Sequence, residues 1–461
     1  MNLDDDTCYA ALSARDRRFD GLFFVGVTTT GVYCRPICPA RLPRAERCEF
    51  FESAALAELA GYRACLRCRP ELAPGEASVD ATATVARAAA RRIQRGALND
   101  GSVDDLAASL GVTGRHLRRV FADELGVTPV EFAQTCRLGA AKRLLHDTAL
   151  PMPTVAYAAG FGSVRRFNAA FRDRFKRPPT EVRRASRATD VLVARLDFRP
   201  PLLWEALLAF LRLRAVPGVC SIDDASYTRT LRIGRDCGVV SVRRATESSL
   251  EARISLELAL HLFEVVARLR ALFDLDARPD AIADFFADDP TLGPIVLERP
   301  GLRVPGAADG FEVAVRTILG QQVSVAGATT LSGRFAEAFG DRVAGRLCFP
   351  TRETIARATV SDVQAIGMPR RRAQTLIDVG ASDIDLDTGA PLATITALRS
   401  IPGIGPWTAN YIAMRALRWP DAYPENDLVL DRRGGSAEAA ERWRPWRSYA
   451  AMYLWNYGDD R

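Results

Sequence analysis

Two cysteine pairs near the start of the chain, Cys34-Arg35-Pro36-Ile37-Cys38 and Cys65-Leu66-Arg67-Cys68, constrain its folding more than any other feature. The short spacers let both sulfurs of a pair turn toward one point, and two such pairs supply the four thiolates of a tetrahedral zinc site. The segment 39–64 must then loop out and return, closing a small domain around one ion. Spacing alone favours a purely structural zinc ribbon, since most four-cysteine sites only hold a fold together. Four thiolates around Zn2+ leave the centre with a charge of about −2, so a ligating sulfur keeps nucleophilic character and can attack a soft methyl group.

The remaining cysteines suggest no second framework. Ten are present, and Cys8, Cys48, Cys136, Cys220, Cys237 and Cys348 show no partner spacing. In a reducing compartment they are expected as inert, buried thiols. That compartment is expected to be the bacterial cytosol, at the nucleoid. The N-terminus is acidic where a secretory leader needs basic residues, and Arg212, Arg214 and Arg268 interrupt the longest apolar runs. The net charge is +6, and only Lys142 and Lys176 are lysines. The other cations are arginines, whose forks bind phosphates and guanine edges with paired hydrogen bonds.

At 461 residues the chain is long enough for three or four domains. Composition changes at Pro70 to Ser78, at Arg183 to Asp190 and near Pro300 to Pro305, where a strand-like region gives way to helical periodicity. These seams divide it into 1–75, 76–188, 189–300 and 301–461. Within 76–188 one pattern occurs twice: Leu106 to Val112 leads into Arg115 to Phe121, and Val155 to Phe161 leads into Arg165 to Phe171. Each copy reads as helix, glycine turn, helix. Each second helix carries paired arginines, Arg118-Arg119 and Arg165-Arg166, placed as on a recognition helix in the major groove.

Thr29-Thr30-Gly31-Val32-Tyr33-Cys34-Arg35-Pro36-Ile37-Cys38, followed by Ala60-Gly61-Tyr62-Arg63-Ala64-Cys65-Leu66-Arg67-Cys68, closely resembles the N-terminal domain of the Ada adaptive-response family. The resemblance implies one zinc ion on Cys34, Cys38, Cys65 and Cys68, with Cys34 accepting a methyl group from a DNA methylphosphotriester. It also makes Arg41 a phosphate contact, while Pro39 stands where the family has a basic residue. The segment from Ser102 through Pro178-Pro179 resembles the AraC-type double helix-turn-helix, which implies promoter binding and a role in activating transcription.

In the C-terminal half, Leu398-Arg399-Ser400-Ile401-Pro402-Gly403-Ile404-Gly405-Pro406-Trp407-Thr408-Ala409 reads as a helix end, a glycine hairpin and a helix start. Such a hairpin offers backbone N–H groups to a DNA phosphate. Trp407 and Tyr411 fall on one face of the following helix, and Tyr449, Tyr453 and Trp455 form a second aromatic group. An electron-poor alkylpurine flipped out of the duplex can stack on such rings. Asp427 follows the hairpin helix; a carboxylate there can stabilise oxocarbenium character at the sugar, or simply cap a helix.

From Val304 to Trp455 the chain resembles the 3-methyladenine DNA glycosylase II family, AlkA-type, through Ile318-Leu319-Gly320-Gln321, Gly367-Met368-Pro369-Arg370, the hairpin and Arg444-Pro445-Trp446-Arg447-Ser448-Tyr449. The resemblance makes Asp427 the catalytic aspartate, Trp407, Tyr411 and Trp455 the pocket, and Gln321, Gln322, Gly403, Gly405 and Thr408 DNA contacts. Gln322 replaces the family's leucine wedge, and the segment between Arg432 and Glu441 is shorter. Region 189–300, with Arg270-Ala271-Leu272-Phe273-Asp274-Leu275, resembles the family's N-terminal domain.

The expected fold class is therefore multidomain α+β: a small zinc domain, an all-α double helix-turn-helix, a β-rich α+β domain and an all-α helix-hairpin-helix glycosylase domain. Residues 177–461 contain no lysine for Schiff-base strand cleavage, which predicts a monofunctional glycosylase. There is no Pro-Cys-His motif, and the histidines are His116, His146 and His261, so no O6-alkylguanine transferase site is expected. The expected partners are double-stranded DNA, both alkylated and promoter DNA, and RNA polymerase, with no membrane. Two alternatives stay open: a zinc-containing regulator whose glycosylase-like half is an inactive clamp, and a repair enzyme whose quartet is only structural.

Overall fold

The computed structural model describes residues 3–75, 85–183 and 191–456. Residues 76–78 of the first seam and 184–190 of the second, with the boundaries drawn there, lie outside the described residues. Contacts group the chain into one unit of Met1–Pro200 with Glu251–Ala267, and another of Pro201–Leu250 with Arg268–Arg461.

The first unit opens with helix Asp5–Ala14, capped by Asp4. Its apolar face, Cys8, Ala11 and Leu12, packs on Phe23 and Val25 to form a small core. A four-stranded sheet follows in the order Cys48–Phe51, Phe24–Val27, Val32–Cys34, Arg63–Ala64. The first three strands are antiparallel. The last pairs parallel, with Val32 opposite Arg63 and Tyr33 opposite Ala64. Cys34 and Cys65 are thus the next residues along adjacent strands, and the two cysteine pairs meet.

Both copies of the internal repeat fold as expected. Val103–Ala108 turns at Gly111 (φ 71°) into Gly114–Leu125, and Met152–Ala158 turns at Gly160 (φ 79°) into Val164–Phe175. These left-handed turns require glycine. Thr113 and Ser163 cap the second helices. Helix Pro129–Asp147 lies between the two copies in sequence and begins with a Thr128/Glu131 capping box.

In the second unit, Cys220–Ile222, Ser226–Ile233 and Asp236–Thr246 form an antiparallel meander. Strands give way to helix by Leu262–Leu272, ahead of the change read near 300–305, because that stretch is apolar enough to bury Val265, Leu269 and Leu272 in helical spacing. The helical part closes around Phe311, Val315, Phe335, Leu376, Leu398 and Ile412. Arg229 of the meander donates to Glu312 at 2.5 Å, and Glu312 also accepts from Arg316 at 2.9 Å, so a buried ion pair joins strand to helix.

One cysteine expectation is overturned: Cys237 and Cys348 form a disulfide. They lie 111 residues apart in sequence, where spacing carries no signal. Tertiary approach joins them, since Leu347 bonds Gly218 O through its N–H and Thr230 Oγ1 through its carbonyl, drawing Cys348 to the meander.

Asp274 is buried and accepts from the Tyr449 hydroxyl at 2.7 Å. Burial pushes its pKa up to about 6 despite the opposing guanidinium of Arg303. A carboxyl raised in the folded state stabilises below its unfolded value, and that stabilisation is lost as pH rises through about 6. All six tryptophans follow residue 200, so indole fluorescence reports the second unit. Urea unfolding should show wild type gaining about 2 kcal/mol over Asp274→Asn between pH 7 and pH 4; a constant offset would contradict it.

Candidate functional site

Cys34, Cys38, Cys65 and Cys68 are buried, with their Sγ atoms within 4.8 Å of one another. Tetrahedral zinc–sulfur bonds of about 2.3 Å place sulfurs about 3.8 Å apart, so the set fits one zinc ion. Backbone amides serve the sulfurs unequally. Arg35 N donates to Cys68 Sγ at 3.4 Å and Arg67 N to Cys65 Sγ at 3.3 Å, and the Ala40 amide bonds Cys38. Among the described residues no amide donor is found at Cys34. A sulfur without N–H donors keeps more of its electron density than one that accepts them.

The quartet is held from outside. Arg35 is buried and bonds Asp20, Asp197 at 2.8 Å and Cys68 O at 3.2 Å. Lys142, from helix Pro129–Asp147, is fully buried and donates to Cys65 O at 2.6 Å and Glu71 at 2.9 Å. Tyr33, beside Cys34, donates to Glu58 at 3.1 Å.

A cavity of about 630 Å³ opens at Cys34, Cys38 and Cys65. Arg15, Arg41, Arg63, Arg67 and Arg177 line it, and among the described residues no carboxylate does. Arg41 was expected there from sequence. Arg63 and Arg67 sit among the cysteine-pair residues but carried no separate signal, and Arg15 and Arg177 come from remote segments. Arg118, Arg119, Arg165 and Arg166 are exposed, opposite the buried Leu117 and Phe121 of one helix and Phe167 and Phe171 of the other.

In the second unit Asp427 is half-buried at the N-terminus of Leu428–Arg432 and does cap that helix: Oδ1 accepts from Val429 N at 3.0 Å and Leu430 N at 3.1 Å. It also receives two indoles, Trp455 Nε1 on Oδ1 at 3.2 Å and Trp407 Nε1 on Oδ2 at 3.1 Å. Trp407 stacks on Tyr411, with centroids 5.1 Å apart and planes 6° from parallel, and Trp455 tilts over Tyr411 at 6.0 Å. The structure therefore gathers Asp427, Trp407, Tyr411 and Trp455. Tyr449 and Tyr453 stay in the core.

Arg415, unremarked in sequence, donates to Tyr411 Oη at 2.8 Å and is anchored by Pro305 O and Gly306 O. Burial would raise the Tyr411 phenol, but the guanidinium of Arg415, with Arg214 and Arg316 behind it, outweighs burial and holds it below its ordinary value. Arg433 in the short segment after Asp427 bonds Leu454 O and, at 3.1 Å, Trp455 O, bracing the end of the helix that carries Trp455.

The hairpin lies between Pro391–Arg399 and Pro406–Arg415. Gly403 has φ 96°, and a Cβ there would fall 2.4 Å from Thr375 Oγ1. Gly405 occupies the N-cap of the second helix, which no side chain caps, so its first amides are open to a phosphate. Gln321 and Thr408 face inward: the Gln321 amide donates to Gly403 O at 3.0 Å and Thr408 Oγ1 at 3.2 Å, tying the hairpin down. Gln322 is exposed in a left-handed turn (φ 58°).

Comparison with known proteins agrees with this geometry. Residues 7–71 match the metal binding domain of Ada, 106–185 a helix-turn-helix domain, 193–309 the AlkA N-terminal domain, and 315–432 the HhH-GPD superfamily of base excision DNA repair proteins. A Mycobacterium tuberculosis protein named "Probable bifunctional transcriptional activator/DNA repair enzyme AlkA" is 38% identical over 99% of this chain and 97% of its own. The chain belongs to the bifunctional Ada/AlkA family. Its C-terminal part is 37% identical to the Escherichia coli DNA-3-methyladenine glycosylase 2, over 56% of this chain and 95% of that one. The 3-methyladenine DNA glycosylase of Archaeoglobus fulgidus shares the fold, at TM-score 0.52 and 23% identity, over 57% of this chain and 98% of that one. As an Ada/AlkA protein it carries one structural zinc site, the cysteine quartet. Among the described residues no helix is long and apolar enough to cross a membrane.

Because Asp427 also caps a helix, its substitutions should separate folding from chemistry. Asp427→Ala should cost the second unit about 1 kcal/mol, whereas Asp427→Asn, an equally good cap, should cost a few tenths at most. Urea unfolding followed by indole fluorescence checks both, and equal losses would show that the cap contributes nothing.

Proposed function

We propose that this member of the family couples two repairs of alkylated DNA: a stoichiometric methyl transfer at Cys34 and a catalytic base excision at Asp427. The observation that carries the reading is the convergence of two indole N–H groups and a stacked aromatic pair on Asp427, in the same chain as a thiolate quartet that opens into an arginine cleft.

At the first site Cys34 Sγ attacks the methyl carbon of a phosphotriester. The S–C bond forms, the C–O bond breaks, and the oxygen keeps the electron pair as a phosphodiester, with no proton moved. Zinc, when bound, keeps the sulfurs deprotonated near neutral pH. Cys38, Cys65 and Cys68 hold the cluster; their N–H donors damp their own reactivity. The thioether left at Cys34 carries one negative charge less, which weakens repulsion from the DNA backbone and strengthens binding. The two helix-turn-helix copies, through Arg118, Arg119, Arg165 and Arg166, then seat the protein on promoter DNA, with RNA polymerase as partner.

At the second site Gly403, Gly405 and the open amides of the hairpin hold a phosphate, Gln322 enters the gap left by the flipped base, and the base stacks against Trp407, Tyr411 and Trp455. Among the described residues Oδ1 of Asp427 accepts three hydrogen bonds and Oδ2 accepts only that of Trp407. Oδ2 is therefore the oxygen free to stabilise the positive charge that develops at the sugar and to orient water. The alkylated purine leaves without strong acid assistance, and with no lysine after Lys176 the enzyme stops at the abasic site.

Incubating the full-length zinc-loaded protein with radiomethylated duplex DNA tests both chemistries together. Label should appear on the protein and as free 3-methyladenine. Cys34→Ala should abolish the first, and Asp427→Asn should lower the second by at least about a hundredfold. A wild type that releases no base supports the clamp reading; one that takes up no label leaves the quartet structural.

A further inference from the structure

The wall of the Cys34 cleft includes residues far downstream of the cysteine pairs. Phe175, Arg177 and Val182, at the end of the second helix-turn-helix, line the same cavity. Phe175 and Val182 are buried, so packing fixes this wall. Lys176 adopts a left-handed conformation (φ 54°), and its N–H closes the helix on Arg172 O at 2.8 Å. The chain thereby turns out of helix Val164–Phe175 and leaves Arg177 exposed at the rim.

A buried carboxylate locks that helix end to the acceptor strand. Arg174 pairs with Glu58 Oε2 at 3.1 Å. Glu58 also accepts from Thr135 at 2.6 Å and from Tyr33, the residue before Cys34, at 3.1 Å. The position of Arg177 relative to Cys34 is thus set by side-chain bonds as well as by packing.

The five cleft arginines are not equally committed. Arg15 donates to Ala40 O at 3.2 Å and Arg63 to Thr30 O at 3.3 Å. Arg41, Arg67 and Arg177 are exposed, and among the described residues their guanidinium groups make no ion pair or hydrogen bond. An unpaired guanidinium beside a cleft free of carboxylates is suited to a phosphate oxygen.

We propose that Arg177 is a phosphate-positioning residue of the methyl-acceptor site, so that the second helix-turn-helix completes the site that delivers the methyl group to Cys34. This rests on the reading of Cys34 as the acceptor. As the S–C bond forms and the C–O bond breaks, the departing oxygen retains the electron pair and negative charge grows on the phosphate. A guanidinium at the rim binds the flanking diesters and favours that charge. An intact backbone is not drawn into the cleft in the same way, because its charge meets the thiolates.

The test uses full-length zinc-loaded protein and a duplex bearing a single methylphosphotriester, with single-turnover label transfer measured across a salt series. Arg177→Ala should slow transfer at limiting DNA by about tenfold and flatten the log–log salt dependence by about 1. Zinc content and affinity for undamaged duplex should stay as in wild type. Arg177→Lys, which keeps the charge, should recover most of the rate. Wild-type rate and salt slope in Arg177→Ala would overturn the proposal, and so would an equal loss of affinity for undamaged duplex, which would make Arg177 a general DNA contact. A wild type that takes up no label, or a Cys34→Ala protein that still does, overturns the acceptor reading and this inference with it, a result distinct from an unaffected Arg177 variant.

Discussion

The first unit depends on a two-residue parallel pairing. Val32 opposite Arg63 and Tyr33 opposite Ala64 put Cys34 and Cys65 side by side, and each cysteine pair needs only a short turn to close the quartet. Side chains alternate faces along a strand, so a slip of one residue would send a sulfur to the wrong side of the sheet. So short a ladder cannot fix its own register. Its neighbours do: the antiparallel pairing of Val32–Cys34 with Phe24–Val27 on one side, and on the other Lys142 reaching Cys65 O from the long helix and the Tyr33–Glu58 bond. The metal site and the DNA-reading helices are therefore parts of one packed structure, which is why a residue of the second helix-turn-helix can stand at the rim of the acceptor cleft.

What was legible in the sequence is what local spacing encodes. The quartet, both helix-turn-helix copies, the glycine hairpin and the i, i+4 pair Trp407 and Tyr411 could be located because each places its signal within a few residues. Arg15 and Arg177 could not, because only tertiary packing brings them to Cys34. The Cys237–Cys348 disulfide escaped for the same reason, its partners lying 111 residues apart. Gln321 and Thr408 show a different limit. Polar residues beside a glycine hairpin read as DNA contacts, and the fold adds a second task, the Gln321 amide bonding Gly403 O and Thr408 Oγ1, which is invisible until the helices are packed.

Sequence left two tasks open for Asp427, capping a short helix and performing chemistry. The structure shows the cap, and on the reading proposed above the same cap prepares the carboxylate for chemistry. The Val429 and Leu430 amides fix the plane of the carboxylate, and the Trp455 indole fills the remaining valence of Oδ1. Among the described residues Oδ2 then has the Trp407 indole as its only partner. The same indoles that flank Tyr411 thus orient the carboxylate, so the aromatic group cannot be rearranged without also moving Asp427. Arg433, reaching Trp455 O from the segment after Asp427, braces the helix end that carries one of those indoles.

If the Cys34 cleft is the methyl-acceptor site proposed above, it faces a problem of charge. Its arginines attract any backbone phosphate, and a site that trapped intact DNA would seldom meet its lesion. The four thiolates oppose that attraction at short range, where a centre of about −2 repels a diester more strongly than it does a neutral triester. Arginines at the rim and thiolates at the floor therefore act on different phosphates. The rim holds the charged neighbours, and the floor admits only the one phosphate whose charge methylation has removed. Transfer then reverses both conditions: the phosphate regains its charge and the floor loses one of its own. Product can stay bound at the rim although the repaired phosphate is charged again, and that is the physical requirement for a repair event to leave the protein on DNA as a regulator.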